Sequence, residues 1–567
     1  MTSKSRPQRK RKQPEQFSPL RPAEEKELVQ ALSGSLRRIP ANGNISEDDV
    51  DENDSKEGYE EEEEEDDEEQ KGDDYEIKWR GTQQEVTVTE FNQQSGPTKT
   101  LTSSKKVKKF FELIFSKKIW NHICFQTNLY AQQLIQDNPD PEWKELTVPE
   151  LKAWIGCLIV MGLIKLPNIK MYWDSTWKVA LVANRFTRDR FLSIKKYLHL
   201  ADNQSLDDHQ GSNPDRIKKI RPLLNLLVGN FKTNYQPGRY LTADEDICKF
   251  KGRHHLKQYL RAKIIKWGYK IWKLCDAATA YVLELDVYGG KKSENSSPYD
   301  AVMNLMTDYL DKHHVVVMDN YFTSVPLFTD LLERDTYACG TLRVNRKYLP
   351  REFKGKKNMN PGDSCYWQQD NFVATLWQDK RTVRFLSTCC APEGDDTVVR
   401  RRNSSDQQRL TCPPVVKIYT QYMGGVDRSD RMVRTYSVSR KSKKWWYRLF
   451  YYLLDTSLAN SFILYQLSRN HDELSELNYL KQLALALIET KSQEEKVQPR
   501  PQRKNKKLAS PPRMTAGNHW PKNTKKQQQC QQCARSGKKK RRSTYICKAC
   551  NVHLCVDSCF ELYHTRR

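Results

Sequence analysis

The chain has 567 residues, room for about three or four domains, and sets 95 Lys and Arg against 71 Asp and Glu for a net charge of +24. Its longest apolar stretch, Ala153–Ile164, runs to about 12 residues, too short to span a bilayer. The opening MTSKSRPQRKRK lacks the apolar run of a secretory signal, so membrane and secreted classes are both disfavoured.

The charge is segregated along the chain. Lys4, Arg6, Arg9, Lys10, Arg11 and Lys12 form a basic cluster of the kind that serves nuclear import, as do residues 503–507 and 538–542. Residues 47–76 then hold 20 acidic residues and only two lysines, a local charge of −18, which leaves +42 on the other 537 residues. So basic a body reads as a polyanion binder, with nucleic acid first. The acidic run would compete with DNA for that body, or simply solvate the chain. Residues 1–104 are polar and poor in large apolar side chains, which predicts a disordered N-terminal region.

Helical periodicity begins at Val107 and takes in Phe110, Phe111, Leu113, Ile114, Ile119, Trp120 and Ile123. Thr147, Pro149 and Glu150 form a capping box ahead of Leu151–Leu163. Further helices are predicted over 185–200 and 216–233, giving a helical region over 105–240. The period then changes. Strands are predicted at 240–250, 268–274 and 282–288, a helix at 298–311, a fully buried strand at 315–318, a helix at 325–333 and a strand at 338–344. That order, βββαβαβ, is an α/β or α+β core over 241–345. Short strands with polar breaks over 346–413 suggest a β-rich insertion, and helical sequence returns from 427 to 491. Residues 492–529, rich in Lys, Gln and Pro, read as a basic linker.

Of 15 cysteines, nine are scattered between residues 124 and 412 and six crowd into 530–567, which is a local metal site and no disulfide framework. The candidate ligands are Cys530, Cys533, Cys547, Cys550, Cys555, Cys559 and His564, with His553 as the eighth or else an ordinary surface or core imidazole. Thiolates and imidazoles suit tetrahedral Zn²⁺, and so short a module has too little core to fold without it. Two structural zinc ions are expected. A cross-brace would pair Cys530 and Cys533 with Cys555 and Cys559, and Cys547 and Cys550 with His564 and His553. Lys538, Lys539 and Lys540 would add charge suited to phosphate.

Three stretches, LTADEDICKFKGR (241–253), VVVMDNYFTS (315–324) and YMGGVDRSDRM (422–432), each place an aspartate at a strand end or helix start. By spacing alone Asp427 and Asp430 read as a helix cap and its partner, Asp319 as a strand terminator and Asp244 as part of an acidic turn. Taken with KWGYKIWKLCD (266–276), GTLRVNRKYLP (340–350), NSFILY (460–465) and the terminal cysteines, however, the chain from about residue 107 onward resembles the piggyBac family of DNA transposases and the genes derived from them.

The resemblance implies an α+β multidomain protein. An RNase H-like core (241–345 and 414–436) would be interrupted by the insertion at 346–413. A helical dimerisation and DNA-binding domain (105–240 and 437–491) would flank it, with a cross-brace zinc module at 530–567. It implies a catalytic triad of Asp244, Asp319 and Asp427, with Asp430 in support, holding two Mg²⁺ or Mn²⁺ ions. It also implies cut-and-paste joining at terminal inverted repeats and TTAA targets through hairpins, a homodimer on double-stranded DNA, and the nucleus as its place of action. The alternative is a transposase-derived DNA- or chromatin-binding protein without transposition. Basic residues suited to DNA are Arg253, Lys257, Lys263 and, beside Trp445 and Trp446, Arg440, Lys441, Lys443 and Lys444. Trp446 and Phe450 are assigned to core packing.

Overall fold

In the computed structural model the described residues are 78–99, 107–137, 139–204, 215–489 and 519–565. Short breaks fall at 261, 262, 264, 291, 292, 294, 295, 355–357, 402–406, 469–472 and 537–540. The acidic run 47–76 and Lys538, Lys539 and Lys540 therefore lie outside them. Two compact units divide the chain at residue 492. Among the described residues no helix is long and apolar enough to cross a membrane.

The first unit begins with helices α1 (Val107–Ile114) and α2 (Lys117–Asp137), separated where Ser116 accepts the amides of Ile119 and Trp120. Helix α3 (Val148–Leu163) starts as its capping box requires, with the Thr147 side chain accepting from Glu150 N at 3.4 Å. Helices α4 (Arg188–Tyr197) and α5 (Arg221–Asn234) lead into the sheet.

The sheet is built from β1 (Tyr240–Lys249), β2 (Trp267–Asp276), β3 (Val282–Val287), α6 (Pro298–Met306), β4 (Val315–Met318), α7 (Val325–Glu333) and β5 (Tyr337–Thr341). Strand β1 pairs antiparallel with β2 and parallel with β4, β2 carries β3, and β4 runs parallel to β5. The parallel strand Val315–Met318 is buried at every position, as its unbroken apolar run demands.

The expected insertion does not stand apart. Strands β6 (Ser364–Gln369), β7 (Phe372–Gln378) and β8 (Thr382–Ser387) continue the same nine-stranded sheet, because β8 pairs with the free edge of β5. Only the hairpin of β9 (Asp396–Arg401) and β10 (Gln407–Cys412) forms a sheet of its own. Helices α8 (Pro414–Tyr422), α9 (Gly425–Thr435), α10 (Trp445–Leu467) and α11 (Glu476–Ile488) complete the unit.

One apolar core runs from Val107 in α1 through the sheet to Leu487 in α11, so the helical and sheet regions share their interior. Two features knit it together. A Cβ at Gly156 of α3 would lie 3.0 Å from Ala484 O, so the glycine lets α3 close on α11. The Asn460 side chain of α10 bonds both Val282 N (2.9 Å) and Val282 O (2.8 Å), satisfying the end of β3. Residues 78–98, expected to be disordered, lie as an extended strap over the sheet. Trp79 Nε1 donates to Tyr348 O (2.9 Å), Arg80 bridges Gln368, and Thr89 N donates to the Tyr337 hydroxyl (2.8 Å).

The second unit is a three-stranded sheet of β11 (Pro521–Gln529), β12 (Arg542–Cys547) and β13 (Val552–His553), with short helices α12 (Gln531–Arg535) and α13 (Cys559–Thr565). Strand β11 falls in the stretch expected to be linker. The core of this unit is little more than Cys530, Cys533, Cys547, Leu554 and Tyr563.

Candidate active site and metal centres

The pairing of β1 with β4 ends at Thr242 opposite Val317, and Asp244 and Asp319 each stand two residues further on. Parallel neighbours at equal register bring the two carboxylates to one place although 75 residues separate them. Asp244 is 8% exposed. Burial, then the charge of Glu245, pushes its carboxyl well above the usual range; Lys263 opposes this and Asp319 adds to it. Asp319 is raised for the same first two reasons, burial and Glu245, against the amide of Tyr321, which donates to Oδ1 at 2.9 Å. The Thr323 hydroxyl donates to Asp319 O at 2.7 Å and fixes the turn that follows β4. Tyr419 of α8 closes the site: burial, with Asp319 and Asp244 contributing, pushes its hydroxyl up to about 12.

Asp427 and Asp430 part company. Asp427 lies exposed in the first turn of α9, whose start is pressed against β1: a Cβ on Gly425 would meet Thr242 Oγ1 at 2.6 Å. Asp430 faces inward and is held by Lys273 Nζ at 2.7 Å and Arg434 Nη2 at 3.2 Å. Lys273 also reaches Asp246 at 3.1 Å, Arg434 reaches Asp246 at 2.5 Å, and the Tyr452 hydroxyl donates to Asp246 at 2.7 Å. Burial alone would raise the Asp246 carboxyl, but Lys273, Asp430 and Arg434 together hold it far below the ordinary range. Through these pairs Asp430, expected to support the triad, ties α9 to β1, β2 and α10.

The basic candidates also separate. Arg253, Lys441 and Lys443 are exposed. Lys257 is buried, its ammonium 4.6 Å from the Trp267 ring centre, and does not face solvent as a phosphate contact would require. Arg440 donates to Leu166 O at 3.2 Å and to Met161 O and the Tyr172 hydroxyl, where it caps the carbonyl end of α3. Lys444 donates to Lys196 O at 3.3 Å, and Lys263 turns into the acidic site. Phe450 is buried as expected, whereas Trp446 is half-buried, with Lys219 4.8 Å from its ring centre.

In the second unit two ligand sets form, each with its donor atoms within 4.8 Å of one another. Cys530, Cys533, Cys555 and Cys559 make one, and His519, Cys547, Cys550 and His564 the other. Around tetrahedral zinc, ligand atoms on bonds of about 2.0 to 2.3 Å stand roughly 3.3–3.8 Å apart. The Cys533–Cys559 and Cys533–Cys555 sulfurs are 3.4 and 4.0 Å apart. Cys550 Sγ lies 3.3 Å from His519 Nδ1 and 3.5 Å from His564 Nε2. Both sets fit Zn²⁺. His564 Nδ1 lies 2.6 Å from Phe560 O, which keeps the proton there and leaves Nε2 for the metal.

His553 is not the eighth ligand. Its Nδ1 faces Ser543 O at 2.9 Å on the other side of the β12–β13 pair, and His519 takes the expected place. A histidine 28 residues ahead of Cys547 gave no local spacing signal.

A family model described as Transposase IS4 matches residues 107–462, and one described as DDE_Tnp_1-like zinc finger matches residues 514–565. The chain belongs to this transposase family. Within it, the likeness is to piggyBac. Human PiggyBac transposable element-derived protein 2 is 28% identical over 439 residues, covering 75% of this chain and 71% of the relative. Human PiggyBac transposable element-derived protein 3 is 27% identical over 507 residues, covering 86% and 81%. Among solved structures, a piggyBac transposase synaptic complex with hairpin DNA, determined by cryo-EM, matches with a TM-score of 0.62 at 26% identity, covering 70% of this chain and 83% of that one.

Proposed function

We propose that this chain is a metal-dependent DNA transposase with an RNase H-like core, acting at terminal inverted repeats and TTAA targets through hairpin intermediates. The observation that carries the reading is the Asp244 and Asp319 pair: a buried and a half-buried carboxylate at equal register on neighbouring parallel strands, mutually repelling. Such a donor set fits hard, oxygen-seeking ions. Mg²⁺ or Mn²⁺ bound there would supply Lewis acidity at the scissile phosphate and an activated water or 3′-hydroxyl. Asp244 and Asp319 orient that centre, Asp427 completes it from the first turn of α9, and the Asp430 clamp sets the distance between α9 and β1.

In the first step water breaks a P–O3′ bond and frees a 3′-hydroxyl. That oxygen then bonds to a phosphorus of the opposite strand and displaces the flanking 3′-oxygen, which closes the hairpin. Hydrolysis reopens the hairpin, and the 3′-ends attack the TTAA target. Arg253, Lys441 and Lys443, on a body of strong net positive charge, bind the DNA backbone. The zinc ions are structural, since protein atoms fill every ligand position. A homodimer working in the nucleus belongs to the same reading.

A second reading, DNA binding without transposition, is favoured by the transposable element-derived relatives. Plasmid excision with the element's own ends separates the two. We expect the wild type to excise and Asp319→Asn to lose excision while retaining the DNA. A wild type that binds the ends and leaves them uncut establishes the second reading instead.

A further inference from the structure

Between α3 and α4 the chain closes a loop on itself, with Val179 N donating to Tyr172 O at 3.1 Å. Inside it Asp174 Oδ1 accepts the amides of Thr176 at 2.8 Å and Trp177 at 3.3 Å, a fixed turn that holds Trp177 59% exposed. The same turn borders a groove of about 550 Å³, within the range of about 300–1,000 Å³ for small-ligand sites. Asn168, Lys170, Trp173, Asp174, Ser175 and Arg188 line it. The Trp173 indole is locked, its Nε1 donating to Phe186 O at 2.8 Å and its ring 5.3 Å from that of Phe191. Asn168 accepts Lys170 N at 2.9 Å through Oδ1, which leaves its amino group as a donor, and Asp174 keeps a second oxygen as an acceptor. Lys170 and Arg188 are exposed cations; the Arg188 pair with Asp189 at 2.9 Å lies in solvent and contributes little. Aromatic faces, a polar edge and two cations match the base, the base edge and the phosphates of a nucleotide. A groove of this size takes one nucleotide and not a duplex. Its surroundings favour a nucleotide within a strand: residues 165–190 carry six Lys and Arg against two Asp. Leu166 O and the Tyr172 hydroxyl are both bonded by Arg440, so the loop adjoins the segment that exposes Lys441 and Lys443.

We propose that this groove receives an unpaired nucleotide of the bound DNA, with Trp177 stacking on a base at its rim and Lys170 and Arg188 meeting the backbone phosphates. This rests on the reading of the chain as a DNA-binding transposase. The test uses the zinc-loaded full chain without Mg²⁺ or Mn²⁺, and two mixed-sequence DNAs: a blunt duplex and the same duplex with a single-stranded thymine overhang. Fluorescence anisotropy reads the affinity. The wild type should bind the overhang DNA more tightly than the blunt one. Trp177→Ala should weaken overhang binding by about tenfold, as loss of one aromatic–base stack requires, and leave blunt-duplex binding unchanged. Trp177→Phe should restore most of the loss. Lys170→Ala combined with Arg188→Ala should lower the salt slope on the overhang DNA by about 0.7 for each phosphate contact removed. All three side chains are exposed, so the melting temperature should stay that of the wild type. Equal affinity of the wild type for both DNAs, or a Trp177→Ala variant that loses both alike or neither, overturns the proposal and leaves DNA binding standing. Displacement of the overhang DNA by an equal concentration of thymidine monophosphate assigns the groove to free nucleotides and overturns it as well. A wild type that binds neither DNA overturns the DNA-binding reading and the proposal with it.

Discussion

Lys273 is fully buried yet carries a charge, because Asp246 and Asp430 both meet its ammonium. Removing one partner of such a group leaves uncompensated charge in a dry interior, which costs about 3–5 kcal/mol. Lys273→Met should therefore lower stability to urea by about that amount, whereas Tyr452→Phe, which removes one hydrogen bond to Asp246, should lower it by roughly 1.5–3 kcal/mol. Asp455 offers a test by pH. Burial pushes its carboxyl up to about 7, despite hydrogen bonds from Ser437 Oγ (2.6 Å) and Val438 N (2.9 Å). The folded state thus holds a proton that the unfolded chain releases near pH 4, so this group's stabilisation is complete below pH 4 and is lost as pH rises towards 7. Its contribution falls by about 1.4 kcal/mol per pH unit across that window. The melting temperature of Asp455→Asn, measured from pH 4 to 7, should fall less steeply than that of the wild type. At this scale the aspartates were visible as residues, but their roles were not: Asp427 and Asp430 share one motif, and only the direction each faces separates them.

Elements meet where side chains allow. Helix α9 approaches β1 through Gly425, where a Cβ would lie 2.6 Å from Thr242 Oγ1 and 3.3 Å from Ala277 Cα. The threonine hydroxyl donates to Tyr422 O at 2.7 Å and is not free to turn away. Gly425→Ala should cost about 1–3 kcal/mol through overpacking. Thr242→Ala should recover part of that loss, so the two changes will be non-additive in a urea double-mutant cycle. Helix and strand positions followed the sequence closely because periods of 3.6 and 2 are local properties. Pairing is not local. The strands at 364–387 have the same composition whether they build a separate insertion or extend the sheet, and it is the open edge of β5 that recruits them. The strap at 78–98 has few large apolar side chains, Trp79 and Phe91 among them, and is held largely by backbone and amide hydrogen bonds, so a composition rule for disorder passes over it.

At the scale of the whole molecule, two units differ in what holds them together. The first has a continuous apolar core; the second has two metal-ligand sets in place of one. A zinc chelator should unfold the second unit and leave the main thermal transition of the first in place, read by calorimetry of the full chain. Metal analysis should find two zinc ions per chain in the wild type and in His553→Ala, and one in His519→Ala. Loss of zinc from His553→Ala with retention in His519→Ala would reverse the ligand assignment.

The segregated charge, the order of strands and helices, and seven of the eight zinc ligands follow from the sequence, because each depends on composition or on neighbours a few residues away. Tertiary structure decided the rest. It replaced His553 with His519, turned Asp430, Lys257 and Arg440 inward, and paired Lys263 with Glu245. Each of these depends on which distant surfaces pack together and which way a side chain then points, and neither is encoded in spacing along the chain.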